Sequence, residues 1–88
     1  MADLEAKFKK AADDIAAKAD AMKDLSNDKK LEIYALYKQG TVGDTNIDRP
    51  GILDQKGRAK WDAWNLQKGM AKEEAQEAYI DLVESLLN

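Results

Sequence analysis

The sequence contains neither cysteine nor histidine. Without cysteine, disulfides, thiolate zinc sites and thiol nucleophiles are excluded. Without histidine, the commonest general base near neutral pH is missing. Proline occurs once, so one place at most is denied to helix on that account. No run approaches the roughly 20 apolar residues of a membrane span. No apolar secretory segment opens the chain, so a cytoplasmic location is expected. Basic excess is lacking too. The net charge is −3, so no nucleic-acid groove is expected, and an anionic ligand would need a local cluster of lysines.

What remains is a chain of 88 residues, 44% hydrophobic and 35% charged, which reads as one soluble globular domain over 1–88 with a small core. Four helical segments are predicted. Leu4, Phe8, Ala11, Ile15, Ala19 and Met22 recur at steps of three and four, giving a first helix from about Asp3 to Met22 with Asp3 as its N-cap. Ser26 is the next expected N-cap, and Asp28 follows near the favourable end of the helix dipole. The second helix runs from about Asn27 to Val42 and stops at Gly43. Leu31, Tyr34, Lys38 and Thr41 share one face, and Ile33, Leu36, Tyr37 and Gly40 a neighbouring one. The loop that follows, to Asp54, holds the proline. A third helix, Gln55 to Lys68, is capped by Asp54 and closed by Gly69, and a fourth runs from Ala71 to Leu87.

The loop "DTNIDRPGILDQ" places Asp44, Asn46 and Asp48 at the first three ligand positions of an EF-hand. The pattern then fails. Arg49 stands where the loop needs glycine, and Gln55 where it needs a bidentate glutamate. The reading adopted is therefore a polar loop whose Asp and Asn side chains cap turns, with no metal site. Neither nucleotide-binding glycine motif is present. "GTVG" at Gly40 to Gly43 is a weak signal by itself.

Basic and aromatic residues are more informative. Tyr34 and Lys38 lie one helical turn apart with Tyr37 beside them, and Lys56 and Lys60 form a second i, i+4 pair. Should the two helices meet, the Tyr34 hydroxyl and three ammoniums would converge. That set suits a phosphorylated adenine nucleotide, with lysines on phosphate and a tyrosine ring against the base. The plainer alternative is a solvated lysine face over core tyrosines. Trp61 and Trp64 read as core. No nucleophile–base pair and no distinctive carboxylate pair is visible, so catalysis finds no support.

"YALYKQGTVGD", "RPGILD" and "KGRAKWDAWN", in this order, closely resemble the acyl-CoA-binding protein family. "FKKAADDI" and "EEAQEAYIDLVE" look like its first and fourth helices, so the resemblance covers essentially the whole chain. It implies an all-α four-helix bundle of up-down-down-up topology, in which a long loop carries the chain back between two parallel helices. It also implies non-covalent binding, intracellular transport and pool formation of medium- and long-chain acyl-CoA esters, without enzymatic activity and without a cofactor. Implied partners are acyl-CoA itself and, transiently, acyl-CoA-using enzymes. No nucleic acid and no stable membrane anchoring are expected, and the chain is expected to be a monomer.

The family's 3′-phosphate ligands fall on Tyr34, Lys38 and Lys60, its adenine-side tyrosine on Tyr37, and its lysine near the head group and pantetheine on Lys56. Its site-lining tyrosine of the fourth helix falls on Tyr79. The acyl channel would draw on Phe8, Ala12, Ile15 and Leu31. The chain departs from the family pattern at several points. The connection between the first two helices is about three residues longer than in short members of the family. Lys30 and Gln55 stand where apolar residues occur, Gly40 where alanine is common, and Ala71 where a serine cap is frequent. A rival implication is a signalling or interaction protein indifferent to acyl chain length. Another is a thioesterase, against which the missing histidine and cysteine weigh.

Overall fold

The computed structural model describes residues 2–18 and 23–87, and these contain four long helices: α1 (Ala2–Ala17), α2 (Asn27–Thr41), α3 (Gln55–Asn65) and α4 (Lys72–Leu87). Ser26 caps α2 as its spacing predicts, its hydroxyl accepting the Lys29 N–H at 3.2 Å. Asp54 caps α3 through the Gly57 N–H at 3.0 Å. Gly43 and Gly69 both take φ near +94°, the left-handed conformation that ends a helix cheaply only at glycine.

Four boundaries differ from expectation. α2 ends at Thr41, with Val42 as its C-cap. Asp3 is not a cap: α1 already includes Ala2, and Asp3 sits in its first turn with Glu5, where a carboxylate is stabilised by the helix dipole. The expected end of this helix, through Ala19 to Met22, lies outside the described residues. α3 stops at Asn65 rather than Lys68 because residues 66–69 form tight turns, with Gln67 and Lys68 N–H groups bonded to the carbonyls of Trp64 and Asn65. α4 begins one residue late. Ala71 holds the cap position, where its carbonyl accepts the Ala75 N–H at 3.0 Å, but its methyl offers no side-chain acceptor.

Residue pairings fix the directions. Gln76 meets Gly40 and Tyr79 meets Tyr37, so α4 runs antiparallel to α2. Leu4 shares a surface cleft with Glu77 and Asp81, and Asp14 shares another with Leu87, so α1 runs parallel to α4. α3 packs along α2 in the same direction, as the pairs described below show. The result is the up-down-down-up bundle. Phe8, Ala11, Ile15, Ile33, Leu36, Tyr79 and Val83 form its core, drawn from the stripes of α1, α2 and α4.

Because α2 and α3 are parallel, residues 42–54 must return along the bundle. They do so against the side of α3. The Trp64 indole donates to the Gly43 carbonyl and the Trp61 indole to the Ile47 carbonyl, both at 2.8 Å. Thr45 donates to Asn65 at 2.9 Å, and Arg49 forks onto both Asp62 oxygens at 2.9 and 2.8 Å. The two tryptophans thus join packing to loop anchoring: Trp64 is buried and Trp61 half-buried, each with its N–H satisfied.

Candidate functional site

The seam between α2 and α3 is built from two ridges of i, i+4 residues, Lys30–Tyr34–Lys38 on α2 and Lys56–Lys60–Trp64 on α3. They face each other as rungs. The Lys60 ammonium lies 5.4 Å from the centroid of the Tyr34 ring, and the Lys38 ammonium 5.1 Å from that of Trp64. One turn earlier, Lys30 and Lys56 line a common pocket of about 540 Å³ with Leu31, Ala59 and Lys60. Among the described residues, none of these four lysines has a carboxylate within ion-pair distance. A cation over a ring is positioned without being neutralised, so the seam holds positive charge that a phosphate can compensate directly.

A second pocket, about 470 Å³, opens between α1, α2 and α4 and is lined by Phe8, Lys9, Ala12, Tyr37, Gly40 and Gln76 among others. Tyr37 is 41% exposed, the only one of the three rings in its cluster to be so. Phe8 stacks on it at 5.5 Å, and Tyr79 lies edge-on to Phe8 at 5.1 Å and tilted to Tyr37 at 5.7 Å. A half-exposed ring braced from behind is suited to receive a planar base. Burial pushes the Tyr79 phenol up to about 12, with the neighbouring Tyr37 adding to the shift.

The expected site residues therefore divide. Tyr34, Lys38, Lys56 and Lys60 meet along the α2–α3 seam. Tyr37, Phe8 and Ala12 gather in the pocket beside α1, whereas Leu31 lines the other one. Tyr79 and Ile15 are core residues, 2% and 5% exposed, and neither is among the lining of these two pockets. Sequence reasoning missed Trp64 as the ring beneath Lys38. It also missed Gln76, which is buried and donates to the Gly40 carbonyl at 2.9 Å. The tryptophan could have been found from its i+4 spacing to Lys60. A buried glutamine carries no periodic signal.

Gly40 explains how close α2 comes to its neighbours. A Cβ there would stand 3.0 Å from the Gln76 side chain and 3.1 Å from the Phe8 ring.

Comparison with known proteins agrees with this architecture. The sequence profile described as "Acyl CoA binding protein" matches residues 5–83. The chain is 55% identical over 76 residues to acyl-CoA-binding protein homolog 1 of Caenorhabditis elegans, covering 85% of this chain and 88% of that one. It is 55% identical over 62 residues to the acyl-CoA-binding protein homolog of Drosophila melanogaster, covering 70% and 72%. Among solved structures, the Oryza sativa acyl-CoA-binding protein 2 superposes with a TM-score of 0.85 at 45% identity, covering 96% of this chain and 90% of that one. The ACBP of Moniliophthora perniciosa gives 0.82 at 37% identity, covering 94% and 79%. A match over nearly the whole chain, in sequence and in helix arrangement alike, means that this chain belongs to the acyl-CoA-binding protein family.

Proposed function

We propose that the protein binds long-chain acyl-CoA thioesters non-covalently and carries them as an intracellular pool, performing no chemistry on them. The observation that carries this reading is the unneutralised lysine seam, which lines one pocket at its first rung and has a second, tyrosine-lined pocket on the other side of α2. Lys38 and Lys60, with the Tyr34 hydroxyl, hold the 3′-phosphate. Tyr37 takes the adenine in the pocket beside α1, which Phe8 and Ala12, expected along the acyl chain, line with it, and Tyr79 and Ile15 lie in the core. Lys56 reaches the head group and pantetheine. The acyl chain leaves water along Leu31 and Ala59.

The division of labour follows from the energetics. Each buried methylene contributes about 0.8 kcal/mol, so the 14 methylenes of a 16-carbon chain supply roughly 11 kcal/mol before losses. Ordering and incomplete burial reduce that sum. The lysines fix the head group and add the charge-assisted bonds. No helix among the described residues is long and apolar enough to cross a membrane. The reading adopts a monomeric, cytoplasmic carrier that meets acyl-CoA-using enzymes transiently.

The test is calorimetric titration with hexadecanoyl-CoA and with free CoA, followed by chromatography of the ligand. One-to-one binding of the thioester, much weaker binding of CoA and recovery of intact thioester are expected. No heat from folded protein would overturn the carrier role, and released CoA would overturn the absence of chemistry.

A further inference from the structure

The three rungs of the α2–α3 seam are not equivalent. In two of them a lysine faces an aromatic ring, Lys60 with Tyr34 and Lys38 with Trp64. In the first, two lysines, Lys30 and Lys56, face one pocket with no ring and no carboxylate partner among the described residues. Lys30 is itself half-buried. Lys56 is exposed, so both ammoniums are open to an anion that enters the pocket. Lys30 and Lys38 are eight residues apart on α2, which places the first rung about 12 Å along the helix axis from the last. A single phosphate therefore cannot serve both ends. The pocket at the first rung is lined by Leu31 and Ala59 together with Asn27, Gln55 and three lysines, whose stems cover apolar surface while their ammoniums stay at the rim.

A pocket with an apolar wall and ammoniums that lack carboxylate partners fits a chain that ends in an anion. Resting on the proposal that this seam binds acyl-CoA, we infer that the groove accepts acyl chains carrying a carboxylate at the end remote from the thioester, with Lys30 as its partner. A groove closed by methyl groups would reject such a chain, because a carboxylate loses its hydration on entry and gains nothing in return. Here the Lys30 ammonium replaces that hydration with a charge-assisted hydrogen bond. A methyl-terminated chain binds as well, since the lysine stem can lie over it.

The test compares hexadecanoyl-CoA, the mono-CoA thioester of hexadecanedioic acid and free CoA, titrated into wild type, Lys30→Met and Lys30→Arg. The two thioesters are expected to bind wild type within tenfold of each other. Lys30→Met should weaken the carboxylate-ended thioester at least tenfold relative to the methyl-ended one. Lys30→Arg should keep the wild-type ratio, and free CoA should not distinguish the three proteins. The inference is overturned if wild type binds the carboxylate-ended thioester more than tenfold more weakly. It is also overturned if Lys30→Met leaves the ratio unchanged, or weakens CoA and both thioesters equally, which would place Lys30 on the head group. Failure of both thioesters to bind folded wild type would instead overturn the carrier reading, and this inference with it.

Discussion

The Gln39 amide nitrogen lies 2.9 Å from the Asp44 carboxylate and 2.8 Å from the Met70 carbonyl, and the same Asp44 oxygen accepts the Gly69 N–H at 2.8 Å. One side chain at the head of the long loop thus ties the end of α2 to the turn before α4. Gln39 is wholly buried to make this junction. Its amide nitrogen donates to groups 5 and 31 residues away, while its buried amide oxygen has no hydrogen-bond partner among the described residues.

This junction predicts an acid response. The backbone N–H of Gly69, and then the Gln39 amide, hold the Asp44 carboxyl below its ordinary value of 3.8. A depressed folded-state pKa contributes stability that is present above the unfolded value and is lost as pH falls through the folded one. Asp44→Asn should therefore melt below wild type near neutrality, and the gap should close as pH drops below 3.8. Thermal melts from about pH 7 to about pH 2 check this, and a constant gap would remove Asp44 from the account.

At the alkaline end, Tyr79 is expected to ionise only near pH 12, because burial disfavours its phenolate. Its folded pKa is raised, so its contribution is intact below the ordinary value of 10.0 and is lost as pH rises towards about 12. Ultraviolet titration should show one late tyrosinate that is missing in Tyr79→Phe. A titration unchanged by that substitution would contradict the assignment.

Gly40 lies inside α2, where alanine would ordinarily stabilise by about 1 kcal/mol. The methyl would meet Gln76 at 3.0 Å and Phe8 at 3.1 Å, and both are held in place, Gln76 by its bond to the Gly40 carbonyl and Phe8 by ring stacking. The expected outcome of Gly40→Ala is a change within about 0.5 kcal/mol of zero, the gain being offset by crowding. Denaturant unfolding measures it, and a full gain near 1 kcal/mol would mean that the neighbours yield freely.

Lys38→Ala and Lys60→Ala separate binding from stability. Each removes a cation over a ring, worth about 0.5–1 kcal/mol at such sites. On the proposed head-group assignment, each also removes one charge-assisted bond to phosphate, worth about 1.5–3 kcal/mol. Titrations should therefore show a loss of affinity larger than the loss of stability, equal for CoA and for its thioesters. Unchanged affinity in both variants would remove the phosphate assignment.

Much of this architecture was legible beforehand because it rests on local rules. The stripe of Leu4, Phe8, Ala11 and Ile15, the caps Ser26 and Asp54, and the left-handed glycines Gly43 and Gly69 all follow from spacing and backbone chemistry. The lysine–tyrosine seam was visible as two i, i+4 pairs, although nothing local says that the two helices meet in parallel. Residues that act across the fold stayed hidden. Gln39 and Gln76 carry no local signal, because their partners Met70 and Gly40 lie in distant segments. Tyr79 and Ile15, expected beside ligand, are core residues, 2% and 5% exposed. Asp44, which resembled the start of a calcium loop, has an oxygen already bonded to Gln39 and Gly69.

The parallel packing of α1 on α4 has a consequence for how the chain acquires its structure. Phe8 finds Tyr79 as a neighbour across 71 positions of sequence (79 minus 8). Contacts so far apart carry a loop-closure cost before they return any energy, and topologies rich in them fold more slowly than locally paired helices. During synthesis, the apolar side of α1 has no α4 to lie against until residues near Tyr79 and Val83 have been made. Substitutions at Phe8 or Ile15 are therefore expected to slow refolding measurably, where conservative changes in the seam of α2 and α3 leave the rate nearly unaltered. Stopped-flow kinetics of Ile15→Val beside Ala59→Gly would distinguish the two.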